Sequence, residues 1–102
     1  PWVMLSAGAK KESFKNILLH AFQAGASGFL AGRAIWQDSF SAYPNWQKVI
    51  DGLSSDGFSY LQQIAKIADK KALPWTSHQC YGARGAALHP QDSSFKQHYD
   101  PI

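Results

Sequence analysis

Four residues in two short runs carry the chemistry this sequence can offer: Ser6 and Gly8 in LSAG, and Gly32 and Arg33 in LAGRA. A serine and a glycine in a small turn present a hydroxyl and open backbone N–H groups. Gly32 lets the main chain approach a ligand closely, and Arg33 adds a permanent, forked positive charge that matches the oxygens of a phosphate. Oxyanion binding is the chemistry these types point to. Each member also has a structural use. Arg33 could pair with a carboxylate, Ser6 could cap the helix that follows, and Gly8 and Gly32 could serve turn geometry alone.

Other reactive types are placed less well. Lys10, Lys11 and Lys15 open a helical stretch, Lys48, Lys66, Lys70 and Lys71 lie on later ones, and Lys96 is near the end. A nucleophilic lysine needs desolvation or a neighbouring cation to lower its pKa, and these positions read as solvated faces. His78 and Cys80, with His89 beyond, lack the paired spacing of a structural zinc site. Cys80 reads instead as a free thiol in an aromatic pocket with Trp75 and Tyr81, and His20 points away from the strand ends. No metal and no other cofactor is expected.

The elements that must position the four residues follow from periodicity. Trp2 to Leu5 reads as a short buried strand ending at Ser6-Ala7-Gly8. From Lys11, the residues Phe14, Ile17, Leu18, Ala21 and Phe22 recur at helical spacing, and Gly25 closes that helix. Phe29, Leu30 and Ala31 show no polar alternation, the pattern of a parallel strand covered on both faces. Strand, helix and strand make a right-handed βαβ unit, so both strands end at one edge and the two runs meet there. After Arg33, the residues Ala34 to Trp36 lead into a polar connection, Gln37 to Pro44, with a short helical turn. Two helical segments follow, Trp46 to Leu53 and Phe58 to Ala68, joined by a bend at Ser54 to Gly57 and stopped by Leu73-Pro74. Trp2, Phe29, Trp36, Trp46 and Phe58 read as core aromatics.

Composition bounds the partners. The chain has 102 residues, 45% apolar and 17% charged, a globular balance. Its net charge of +3 forms no run longer than Lys10-Lys11 or Lys70-Lys71, which argues against nucleic acid as a partner. No apolar run approaches the roughly 20 residues of a membrane span, so no membrane partner is expected. The single cysteine fits a reducing, cytoplasmic compartment. Because Pro1 already stands in an apolar run, the chain reads as a C-terminal piece. Two strand units leave sheet edges and apolar faces to cover, consistent with a homo-oligomer.

The run PWVMLSAG, a helix, and then AGASGFLAGRAIW resembles the seventh and eighth strand-helix units of the class I aldolases related to tagatose bisphosphate aldolase and sulfofructose phosphate aldolase, which are (β/α)8 barrels. The resemblance is close over Trp2 to Trp36 and extends to Trp75 in pattern only. It implies an α/β fold, the last two strand-helix units of a TIM barrel over residues 1–74, and a tail over 75–102 that is packed on the barrel or disordered. It implies that Ser6, Gly8, Gly32 and Arg33 hold the phosphate of a small-molecule sugar phosphate. The implied reaction is cleavage of a phosphorylated ketose into two three-carbon products. The family's Schiff-base lysine lies on the sixth strand, which would precede Pro1, so no catalytic residue is assigned in this chain. The alternative is a phosphate-binding barrel without lyase activity, an isomerase-like enzyme or a regulatory binder.

Overall fold

A computed structural model describes residues 1–88. Two strands, β1 (Val3–Leu5) and β2 (Gly28–Leu30), pair in parallel with Met4 opposite Phe29. The crossover between them is helix α1 (Lys11–Gln23). Its buried stripe is Phe14, Leu18, Ala21 and Phe22, four of the five positions the spacing selects, while Ile17 stays exposed. Gly25 ends the helix at φ +92°. Its N–H donates to the Phe22 carbonyl and that of Ala26 to the Ala21 carbonyl, the paired bonds of a Schellman cap.

The core lies on one side of the sheet. Met4 and Phe29 point toward α1, where Phe14 meets Phe29 edge to face at 6.3 Å, and Ala26, Ala34, Tyr60 and Ile64 complete the cluster. The expectation of strands covered on both faces is not met in the described residues. Val3 and Leu5 are exposed, and Leu30 is 62% exposed, because no described element packs against that face of the sheet.

Beyond β2 the chain is helical. Helix α2 (Arg33–Phe40) starts at Arg33 itself, where a connection through Ala34-Ile35-Trp36 was expected. The Gly32 carbonyl accepts from the N–H groups of Ile35 and Trp36 at 2.8 and 3.2 Å, and the buried Ala34 faces the core. Helix α3 (Trp46–Gly52) is capped by the Asn45 side chain, which accepts from the Lys48 N–H. It runs without a break through a π-helical turn, Leu53–Gly57, into α4 (Phe58–Lys71). The expected bend is therefore a continuous helix with one wide turn. Gly52, Leu53, Gly57 and Phe58 all keep right-handed helical φ and ψ. Helix α4 buries Tyr60 and Ile64, and its exit is tied down by the Leu73 N–H, which donates to the Ala26 carbonyl at 3.0 Å.

Of the aromatics expected in the core, only Phe29 packs there. Trp2 and Phe58 are exposed, and Trp36 and Trp46 join Phe40 and Tyr43 in an exposed ladder of edge-to-face rings 5.3 to 6.3 Å apart. Among the described residues the buried aromatics are Phe14, Phe22 and Tyr60. No helix among the described residues is long and apolar enough to cross a membrane.

The π turn lies across α2, and Gly52 permits the close approach. A Cβ on Gly52 would stand 2.9 Å from the Ser39 hydroxyl oxygen and 3.1 Å from its Cβ, whereas one on Gly57 would meet the Ile35 carbonyl at an unstrained 3.5 Å. Both glycines are helical, where alanine is the better helix former by about 1 kcal/mol. Gly52→Ala is therefore expected to lower stability by about 1 to 3 kcal/mol through overpacking, while Gly57→Ala is neutral or stabilising. Thermal unfolding of the two variants in the intact protein checks this, and equal shifts would refute the close crossing.

Candidate functional site

Parallel strands deliver their C-terminal ends to one edge, and here that edge brings Gly8 and Arg33 into contact. The guanidinium of Arg33 lies flat over Gly8. A Cβ built on Gly8 would stand 3.0 Å from the guanidinium carbon and 3.1 Å from each terminal nitrogen. Such near-equal distances mean a face-on approach, and a side chain at position 8 would push the guanidinium aside by a few tenths of an ångström. The turn is also conformationally demanding, since Ala7 and Gly8 are both left-handed, with φ of +48° and +81°. An alanine in that region is uncommon and costs about 1 to 2 kcal/mol.

The turn's hydrogen bonds divide sharply. The Ser6 N–H donates to the Leu30 carbonyl at 3.0 Å, and the Ser6 carbonyl accepts from the Ala9 N–H at 2.8 Å. The N–H groups of Ala7 and Gly8 make no backbone hydrogen bond among the described residues. Ser6 itself is buried and does not cap α1, whose N-cap is Lys10 and has no side-chain hydrogen bond. Ser6 thus fastens the end of β1 to the end of β2 beneath the turn.

A cleft of about 550 Å³ opens over this edge, lined by Gly8, Ala9, Lys10, Lys11, Arg33, Ala34, Gln37, Asp38 and Ser41. Of the four residues singled out from the sequence, Gly8 and Arg33 line it, while Ser6 and Gly32 support it from behind. The glycine requirement at the two positions differs. Gly32 has φ −126°, and a Cβ there would meet only Trp36 Nε1 at an ordinary 3.5 Å. Arg33 makes no ion pair among the described residues.

Lys10 and Lys11, which the sequence places on a solvated helix face, turn into the same cleft. The missed signal is topological. The first turn of a crossover helix lies beside the strand end that precedes it, so residues there share the strand's edge. Tyr60 on α4 holds this first turn by donating its hydroxyl to the Lys11 carbonyl at 2.8 Å. Burial, aided by the Glu12 carboxylate, pushes the Tyr60 hydroxyl above the ordinary tyrosine range.

Among the described residues, His20, His78 and Cys80 lie apart from the cleft. His78 accepts from the Cys80 N–H through Nδ1 at 3.1 Å, and no group of three metal-ligating side chains comes together among the described residues. Trp75 and Tyr81 do pack edge to face at 6.1 Å, but Cys80 is exposed rather than enclosed by them. His20 lies near the C-terminal end of α1, its Nδ1 2.8 Å from the Asn16 carbonyl oxygen. His89 and Lys96 lie outside the described residues.

Comparison with known proteins agrees with the class I aldolase resemblance. The sequence profile of the DeoC/LacD family aldolases matches residues 1–38, which hold β1, α1, β2 and the start of α2. Tagatose 1,6-diphosphate aldolase 2 of Streptococcus pyogenes serotype M1 is 36% identical over 80 residues, covering 74% of this chain and 24% of the relative. Tagatose 1,6-diphosphate aldolase 1 of the same serotype is 34% identical over 80 residues, covering 74% of this chain and 25% of the relative. The chain spans about a quarter of the length of these curated relatives.

The two glycines of the site separate geometry from contact. Gly8→Ala combines a left-handed φ with a crowded guanidinium, so it is expected to lower stability by at least about 1 kcal/mol and to shift Arg33. Gly32→Ala should cost clearly less stability. Denaturant unfolding of both variants in the intact protein tests this ranking, and an equal or reversed order would remove Gly8 as the seat of Arg33.

Proposed function

We propose that this chain is the phosphate-holding portion of a class I aldolase that cleaves a phosphorylated ketose. In this reading residues 1–74 are the last two strand-helix units of a (β/α)8 barrel, with the remainder following as a tail. Ser6, Gly8, Gly32 and Arg33 form the phosphate subsite. The observation that carries the proposal is the seating of the Arg33 guanidinium over Gly8 at the carboxyl edge of two parallel strands. Ligands of α/β barrels bind at that edge, and the phosphate site is often built by the loops after the last two strands. Gly8, whose N–H makes no backbone hydrogen bond among the described residues, and the first residues of α2, Arg33 and Ala34, line the same cleft. The relatives are tagatose 1,6-diphosphate aldolases by name, which makes a ketose bisphosphate the substrate to try first.

The lysine that forms the Schiff base comes, in this proposal, from a strand preceding β1. No lysine of the described residues stands at the carboxyl end of a strand. The chain's own part in the reaction is orientation. It holds the phosphate end so that the ketose carbonyl reaches the nucleophile at a fixed distance, which is where much of the rate advantage of a bound substrate arises.

Two measurements on the intact protein test this. Borohydride added with tagatose 1,6-bisphosphate should trap a covalent lysine adduct, and chelators should leave cleavage unchanged; chelator-sensitive activity without an adduct would reject the class I mechanism. Arg33→Lys keeps the charge and loses the fork. It should cost about 1.5 to 3 kcal/mol, roughly 10- to 150-fold in kcat/KM for the phosphorylated ketose, with much less effect on an unphosphorylated analogue. Equal losses on both, together with lowered thermal stability, would make Arg33 a structural residue of the rim.

A further inference from the structure

A phosphate monoester carries nearly two negative charges at neutral pH, and Arg33 supplies one positive charge. Two lysines, Lys10 and Lys11, line the cleft with Arg33; Lys10 is exposed, and the surroundings of Lys11 set it apart. Lys11 lines the cleft beside Gly8 and Arg33, yet its side chain is only 22% exposed. Tyr60 contacts Lys11 at both ends, side chain and backbone. Its ring lies 5.6 Å from the Lys11 ammonium, and its hydroxyl holds the Lys11 carbonyl. The ammonium is thus carried on an anchored stem. The charge opposite it is Asp38 on α2, with Nζ to Oδ2 at 3.8 Å and the carboxylate 78% exposed. A charge-assisted hydrogen bond between such groups runs about 2.7 to 2.9 Å, so this is a charge contact in which the hydrogen bond is not made. A partner at that distance, mostly in water, is a weak one.

We propose that Lys11 is the second cation of the phosphate subsite and makes it selective for dianionic phosphate monoesters over singly charged phosphodiesters. The inference rests on the assignment of the cleft as an anion site. Its chemistry is direct. The Lys11 ammonium stands 3.8 Å from Asp38, and a dianion offers it shorter and more numerous acceptors than that carboxylate does. Arg33 receives the first charge through its fork, and Lys11 receives the second as a point charge that can turn on its stem. A singly charged diester satisfies Arg33 and leaves Lys11 with Asp38.

The test uses the intact protein and two simple probes at one pH, about 8, where methyl phosphate is doubly charged and dimethyl phosphate singly charged. Lys11→Met retains the stem beneath Tyr60 and the backbone carbonyl, so folding is preserved and only the charge is lost. By titration calorimetry it should weaken methyl phosphate about tenfold and dimethyl phosphate less than about twofold, and Lys11→Arg should recover most of the lost affinity. Asp38→Asn should tighten methyl phosphate. No loss in Lys11→Met, or equal loss on both probes, would overturn the proposal. Arg33→Lys measured alongside separates the two claims. If it weakens both probes while Lys11→Met weakens neither, the cleft binds anions without Lys11; if neither variant changes either probe, the assignment of the cleft fails as well.

Discussion

One close contact, a guanidinium lying over a glycine, ties the carboxyl edge of this chain together. Arg33 lies flat over Gly8, where a Cβ would crowd it at 3.0 Å and where the left-handed φ of +81° suits glycine. Each neighbouring feature supports that contact. The Ser6 N–H bonded to the Leu30 carbonyl holds the two strand ends level, and parallel pairing with Met4 opposite Phe29 sets which residues reach the edge. Helix α2 starts at Arg33, so its position along the edge depends on where α2 is held. Gly52 and Ser39 set that position by letting the π turn approach α2 closely.

Much of this was legible in the sequence, for physical reasons that can be named. The α1 stripe is a strong periodic signal, Gly25 is a strong stop signal, and a strand-helix-strand order leaves little freedom of handedness. Together they were sufficient to bring LSAG and AGRA to one edge. The errors arose where tertiary packing decides between local alternatives. Ala34-Ile35-Trp36 is a short apolar run with a β-branched residue, equally at home after a strand or inside a helix. The buried Ala34 and the two N–H groups that donate to the Gly32 carbonyl resolve it as helix. Ser54-Ser55-Asp56-Gly57 has the composition of a break. It is absorbed as one wide helical turn because α2 packs across it, and π turns of this kind recur at functional places. Lys11 was read as surface because helical spacing reports which face is apolar and says nothing of what Tyr60, 49 positions later, will cover.

The apolar faces tell a similar story at larger scale. The run Phe29-Leu30-Ala31 has the composition of a strand buried on both sides, and the described residues bury one. Met4 and Phe29 meet α1, while Val3, Leu5 and Leu30 line a bare face of a two-stranded sheet. Composition thus reports the burial a strand is suited to, and the described chain supplies half of it. A closed barrel would cover the other half with side chains from its remaining strands, the architecture proposed above.

The two ends of the strands differ in their hydrogen bonding. At the amino end the Ser27 N–H donates to the Trp2 carbonyl, the Leu73 N–H to the Ala26 carbonyl, and the Schellman bonds close α1, while the buried Ser27 hydroxyl has no partner among the described residues. At the carboxyl end the N–H groups of Ala7 and Gly8 are left without backbone partners, beside a guanidinium that has no ion pair among the described residues and an ammonium whose carboxylate stands too far for a hydrogen bond. Gathering three cationic side chains in one cleft is unfavourable by itself, since like charges repel. Tyr60 nonetheless anchors Lys11 toward that cleft, and Gly8 admits Arg33 to it. Positive character is thus concentrated at the carboxyl edge and held in place by neutral, specific contacts, the arrangement that the proposed anion subsite calls for.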